Sequence, residues 1–147
     1  MGRVINPETA GKERNLLIRG VVVATRELMK QASQDELSRD LAAFIGLSLL
    51  EIFETVNVSV AAWERRNYWV KADRYRMEWL WTQTLGQRLC QAVLEEDWLT
   101  IATLIAEIAQ KVMHVDIPKR HGVGEAWVGA WEELQDRHRA GDLTALP

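Results

Sequence analysis

Three observations make this chain an all-α protein: an antiparallel bundle of four long helices followed by a shorter C-terminal one. From Ser33 to Ile117 there is no proline, and Gly46 and Gly86 are the sole glycines. Proline and glycine are the strongest local interrupters of regular structure, so this stretch favours long uninterrupted elements. Through it, apolar residues return every three or four positions, the period of a helix face and not of a strand. Where that rhythm breaks, the residues present are those that start and stop helices.

The first start signal is Asn6-Pro7-Glu8. Asparagine caps free amides, proline suits the first helical turn, and a carboxylate favours the positive end of the helix dipole. The helix it opens is expected to run to about Lys30, with Leu17, Val21, Ala24 and Leu28 on one face. Gly20 is unfavourable within a helix by roughly 1 kcal/mol relative to alanine, which points to close approach of a neighbour. Ser33-Gln34-Asp35-Glu36 reads as a capping box for the second helix. Leu41, Ile45, Leu49, Ile52, Val56, Val60 and Trp63 then keep one phase to about Arg66. The β-branched segment from Thr55 to Val60 is locally a poor helix former, but the apolar face passes through it unbroken.

A single helix from Asp35 to Glu95 would be about 90 Å long, so a turn is required, and Asn67 is the best place for it. The third helix is then expected from about Tyr68 to Leu94, with Val70, Met77, Trp81, Leu85, Leu89 and Ala92 inward. Asp97 is the expected cap of a fourth helix carrying Leu99, Ala102, Ile105, Ile108, Ala109 and Val112 and ending near His114. After a loop from Pro118 to Gly124, a last helix is expected from Glu125 to about Arg139, with Trp127, Trp131, Leu134 and His138 in register and Gly141 as its stop. Residues 144–147 are expected to fray. No repeat or linker divides the chain, so residues 1–147 read as one domain, long enough to bury a core.

A net charge of −3 makes no general electrostatic case for nucleic acid or an anionic membrane. The charge is unevenly spread: residues 34–64 carry six acids against Arg39, a balance of −5, and residues 65–76 carry five bases against Asp73, a balance of +4. The single cysteine, Cys90, allows no intrachain disulfide and reads as a small buried thiol. No basic cluster followed by an apolar stretch opens the sequence, so no signal peptide is expected, and its longest apolar run, Leu41 to Leu50, is too short to span a bilayer. The expected setting is soluble, reduced and cytoplasmic.

The densest chemistry lies between Trp63 and Trp81. This segment holds four of the seven tryptophans, both tyrosines and five of the eighteen basic residues. Tryptophan and arginine are the residues on which binding hot spots are built, since flat rings bury area at little entropic cost and guanidinium groups stack on them. A structural reading turns Trp63, Val70, Met77 and Trp81 inward and pairs the arginines with Glu64, Asp73 and Glu78 on a solvated face, Arg74 and Glu78 being four apart. The functional reading makes Trp63, Arg66, Trp69, Arg74 and Tyr75, with Trp127 and Trp131, an interaction surface. The same basic and aromatic residues would also suit single-stranded nucleic acid, a weaker alternative given the acidic balance.

Catalytic signatures are few. Glu51-Ile52-Phe53-Glu54 places two carboxylates on one side of a helix, the beginning of a Mg²⁺ site. This resembles the first half of the metal motif of all-α nucleoside triphosphate pyrophosphatases of the MazG type. The resemblance implies a divalent-metal-dependent nucleotide pyrophosphohydrolase with Glu51 and Glu54 as ligands, and a second acidic pair, glutamate then aspartate three residues later, on the following helix. That helix offers Asp73 and Glu78, five apart; the pair with the right spacing, Glu133 and Asp136, lies in the last helix. His114, His121 and His138 are scattered, and none follows a glutamate by three as in di-iron bundles. No phosphate-binding glycine loop is present. The sequence thus favours a non-catalytic protein–protein interaction or self-association module, expected to be a homodimer with no cofactor and no metal, over an enzyme using Glu51 and Glu54.

Overall fold

The computed structural model describes residues 5–143, and no strand occurs among them. Five helices follow one another: α1 (Ala10–Met29), α2 (Glu36–Arg65), α3 (Trp69–Leu94), α4 (Trp98–Val112) and α5 (Ala130–Arg139). The bundle of four helices plus a short C-terminal one is therefore present. The 30-residue α2 is its axis, about 45 Å long. It packs along α1 and α3, α4 lies on α3 and reaches back to α1, and α5 covers the remaining side of α2.

The turns follow from local chemistry. Asn67 takes φ 64°, and Tyr68 N donates back to Trp63 O at 2.9 Å, closing α2. Glu96 at φ 52° closes α3 in the same way, with Asp97 N donating to Ala92 O at 2.9 Å. Gly141 at φ 75° lets Asp142 N reach Arg137 O at 3.0 Å, so it is the stop its type suggested. Asp97 caps α4, its carboxylate accepting from the Thr100 amide and hydroxyl.

Other boundaries move. Asn6 Oδ1 accepts from Glu8 N, but this closes a separate turn and α1 begins only at Ala10. The cap of α2 is Asp35, whose carboxylate accepts from Ser38 N at 3.0 Å. Ser33, two residues earlier, is too far back to cap and donates to Asp35 Oδ2 instead. The last helix starts five residues later than expected. Residues 124–129 form turns, and Gly129 enters α5 at φ 88°. The side-chain cap it lacks comes from a different helix: buried Asp40 of α2 accepts from Gly129 N at 3.2 Å and Trp131 N at 2.9 Å. The expected frayed end lies outside the described residues.

Two glycines set how closely α2 and α3 approach. A Cβ on Gly46 would stand 2.8 Å from Cys90 Sγ, and one on Gly86 would stand 3.1 Å from Leu49 Cβ. Each glycine is the slot for a residue of the other helix. Gly20 faces the Phe44 ring, 3.3 Å from where its Cβ would be. Cys90 is fully buried, and burial pushes its thiol up to about 12 against a weaker opposite pull from Arg137. It therefore stays protonated and is no nucleophile at neutral pH.

The main core joins Leu41, Ile45 and Leu49 of α2 to Val21 and Val22, Leu89, Ile108 and Leu134. A smaller second core forms near the α2–α3 turn, where Phe53, Val56, Val60 and Ala72 gather Trp63, Tyr75 and Trp79. By length and composition α2 meets the requirements of a membrane-crossing helix, with a mean hydropathy of 1.6 over its most apolar stretch. The run from Leu41 to Leu50, taken alone, understates this. Of that stretch 67% is buried inside the bundle, so its apolarity is accounted for by being surrounded on three sides by other helices.

Two expected faces are corrected. On α4 the buried line is Ile101, Leu104, Ile105, Ile108, Ala109 and Val112, whereas Leu99 (81% exposed) and Ala102 face out. In the first half of α3, Val70 and Met77 face out while Ala72, Tyr75, Trp79 and Thr82 face in.

Candidate interaction surface

At about 100° per residue, α3 presents two apolar faces on opposite sides. One, through Ala72, Tyr75 and Trp79, meets the second core. The other carries Trp69 (55% exposed), Val70 (67%), Met77 (74%) and Leu80 (42%) at helical spacing. With Tyr68 at the turn, this line holds half of the ten large apolar side chains that stand exposed among the described residues. Nothing in the bundle covers it.

Charges flank the line. Arg66 and Arg74, both expected at the surface, are exposed and free of ion pairs among the described residues. The expected pairing of Arg74 with Glu78 does not form. Arg76 instead takes both acids on its side, bonding Glu64 at 3.0 Å and Asp73 at 3.0 Å, and these carboxylates raise its pKa. Arg74 and Glu78 thus remain exposed charges of opposite sign, one turn apart.

The other expected surface residues sit deeper. Trp63 is half-buried, edge-on to Tyr75 at 4.9 Å, with Lys71 Nζ 4.4 Å from its ring centre. Tyr75 is half-buried as well, and its hydroxyl accepts from Arg14 at 2.7 Å. Trp127 is buried, edge-on to Phe44 at 6.5 Å, so it belongs to the core and not to an open surface. Trp131 is half-buried against the main core, its backbone amide held by Asp40. The expected surface therefore reduces to Arg66, Trp69 and Arg74. The structure adds Val70 and Met77, which the periodicity turns inward, and Leu80, which the sequence does not single out.

Beneath this surface lies a polar node that the sequence pattern does not announce. Arg14 of α1 is buried with no carboxylate among its hydrogen-bond partners. Its guanidinium donates to Thr55 Oγ1 (3.0 Å), Thr55 O (2.9 Å), Ser59 Oγ (2.8 Å) and Tyr75 OH (2.7 Å). It also lies 5.2 Å from the Tyr75 ring centre and 6.0 Å from that of Trp79. Burial lowers its pKa, and the Tyr75 hydroxyl opposes that shift. One signal does exist: position 14 continues the face of Leu17, Val21, Ala24 and Leu28 one turn toward the N-terminus.

Glu51 and Glu54 line a cleft of about 400 Å³ between α2 and α5. Glu133 lines the same cleft, so the fold brings the distant acid of the last helix to the expected pair, together with Arg137. Among the described residues, however, no three His, Cys, Asp or Glu side chains converge closely enough to hold a metal ion. Arg137 shares the cleft with the acids, and the metal motif gains no geometric support.

No family model matches the chain, and no curated protein or solved structure matches it either.

Proposed function

We propose that this protein is a non-catalytic self-association module that pairs through the outward face of α3. The observation that carries the reading is the line Trp69, Val70, Met77 and Leu80, exposed on a helix whose opposite face is already satisfied by the core. A solvated helix face is normally polar, and a line of large apolar side chains rimmed by charge is the composition of an interface. Methionine suits such a face because its unbranched thioether adapts to an opposing surface. The lone thiol being buried and hard to ionise fits a reducing, cytoplasmic setting.

Sedimentation velocity across micromolar concentrations tests the reading. The wild-type chain is expected to run as a dimer and Met77→Glu as a monomer with unchanged helix content. A strict monomer at every concentration overturns the proposal. So does tight binding of a single-stranded oligonucleotide at low salt that is lost in Arg66→Ala with Arg74→Ala, because this face would then serve nucleic acid.

A further inference from the structure

We infer that the occupant of the α3 face is a second copy of this chain lying antiparallel across it, related by a two-fold axis near Met77. The inference rests on the self-association reading and adds the partner's orientation. Along α3 the outward positions are Val70, Asp73, Met77, Leu80 and Thr84, spaced three and four apart as in a helix–helix seam. Met77 stands at the middle and is the most exposed large side chain of the line. An isologous contact puts its central residue against its own copy, and a flexible thioether is well suited to meet itself there.

The charges select the orientation. Arg74 and Glu78 lie on the same flank of the seam, straddle its centre and make no ion pair in the chain among the described residues. In an antiparallel pair, residues on one flank face the same flank of the other helix. Residues equidistant from the axis, on opposite sides of it, then come opposite each other. Arg74 and Glu78 are equidistant from position 76, so an axis one residue before Met77 brings Arg74 of one copy beside Glu78 of the other, twice by symmetry. A two-fold parallel pair sets the flank of Arg74 and Glu78 against the opposite flank of its copy, so the two residues do not meet and their attraction is not made.

Charge swapping tests this. Arg74→Glu and Glu78→Arg are exposed substitutions that leave the monomer's contacts unchanged. Each alone replaces two attractions by two repulsions and is expected to weaken the dimer about tenfold or more. Mixing the two single variants is expected to restore a heterodimer. The Arg74→Glu chain then offers acids at both positions and the Glu78→Arg chain offers bases at both, so each of the two contacts joins opposite charges. Both substitutions in one chain are expected to restore the homodimer. If the wild type is monomeric, the self-association reading itself fails. If Met77→Glu breaks the dimer but the charge variants neither weaken it nor complement one another, the α3 face stands and the antiparallel arrangement is wrong.

Discussion

Arg14 shows how a single residue makes the second core specific. A buried guanidinium without a carboxylate is stabilised here by three hydroxyls, one carbonyl and the faces of two rings. Hydrogen bonds to charged groups contribute about 1.5–3 kcal/mol, more than neutral ones, and burial makes any unfilled donor costly. Tyr75→Phe removes one acceptor and keeps the ring. It is expected to destabilise the protein by about 1.5–3 kcal/mol in urea unfolding. In an Arg14→Met background, where no charge remains to be satisfied, the same change is expected to cost well under half as much. Equal costs in the two backgrounds would mean that the hydroxyl does not serve the guanidinium. Tyr75 is legible in the sequence as a notable residue, but for a surface. Its role in the core depends on Arg14, sixty-one positions away, and no local pattern joins the two.

At the scale of elements, the α2–α3 pair is held together by reciprocal slots. Gly46 admits Cys90, and Gly86 admits Leu49 and Leu50. Alanine in place of a helical glycine gains about 1 kcal/mol of propensity, so a glycine kept mid-helix marks space that is already filled. Gly46→Ala places a methyl 2.8 Å from Cys90 Sγ, and overpacking of this kind costs about 1–3 kcal/mol. The single variant is expected to be net destabilised in thermal unfolding. Cys90→Ala, which clears the sulfur, is expected to turn Gly46→Ala from destabilising to neutral or stabilising. Gly20→Ala meets only a ring edge at 3.3 Å that can shift and serves as the mild comparison.

The elements themselves are largely readable from the chain. The absence of breakers over 33–117, the αL turn at Asn67, the cap at Asp97 and the stop at Gly141 all follow from local chemistry. Phase does not. Val70 and Met77 share a helix face with Trp81, but Trp79 and Tyr75 offer an equally apolar face, and the stripe alone does not say which of the two meets the bundle. The start of α5 escapes for another reason: its cap is Asp40, brought there only by the packing of α5 on α2.

For the whole molecule, the two apolar faces of α3 separate folding from association. One face closes the second core and is part of the monomer's stability. The other contributes nothing to the monomer, since Met77 is 74% exposed and covered by no other helix. Association that requires the folded chain stabilises it by mass action. A tenfold rise in concentration is worth about 1.4 kcal/mol per dimer, hence about 0.7 kcal/mol per chain. At about 2–4 °C per kcal/mol for a domain of this size, the wild-type midpoint is expected to rise roughly 2 °C for each tenfold increase in concentration. Met77→Glu is expected to abolish that slope while keeping the midpoint of the dilute wild type, because an exposed substitution changes monomer stability by only about 0.5 kcal/mol or less. Calorimetry at several concentrations distinguishes the cases. A slope retained in Met77→Glu places the contact on another face, and a midpoint that falls at all concentrations shows that Met77 belongs to the core after all.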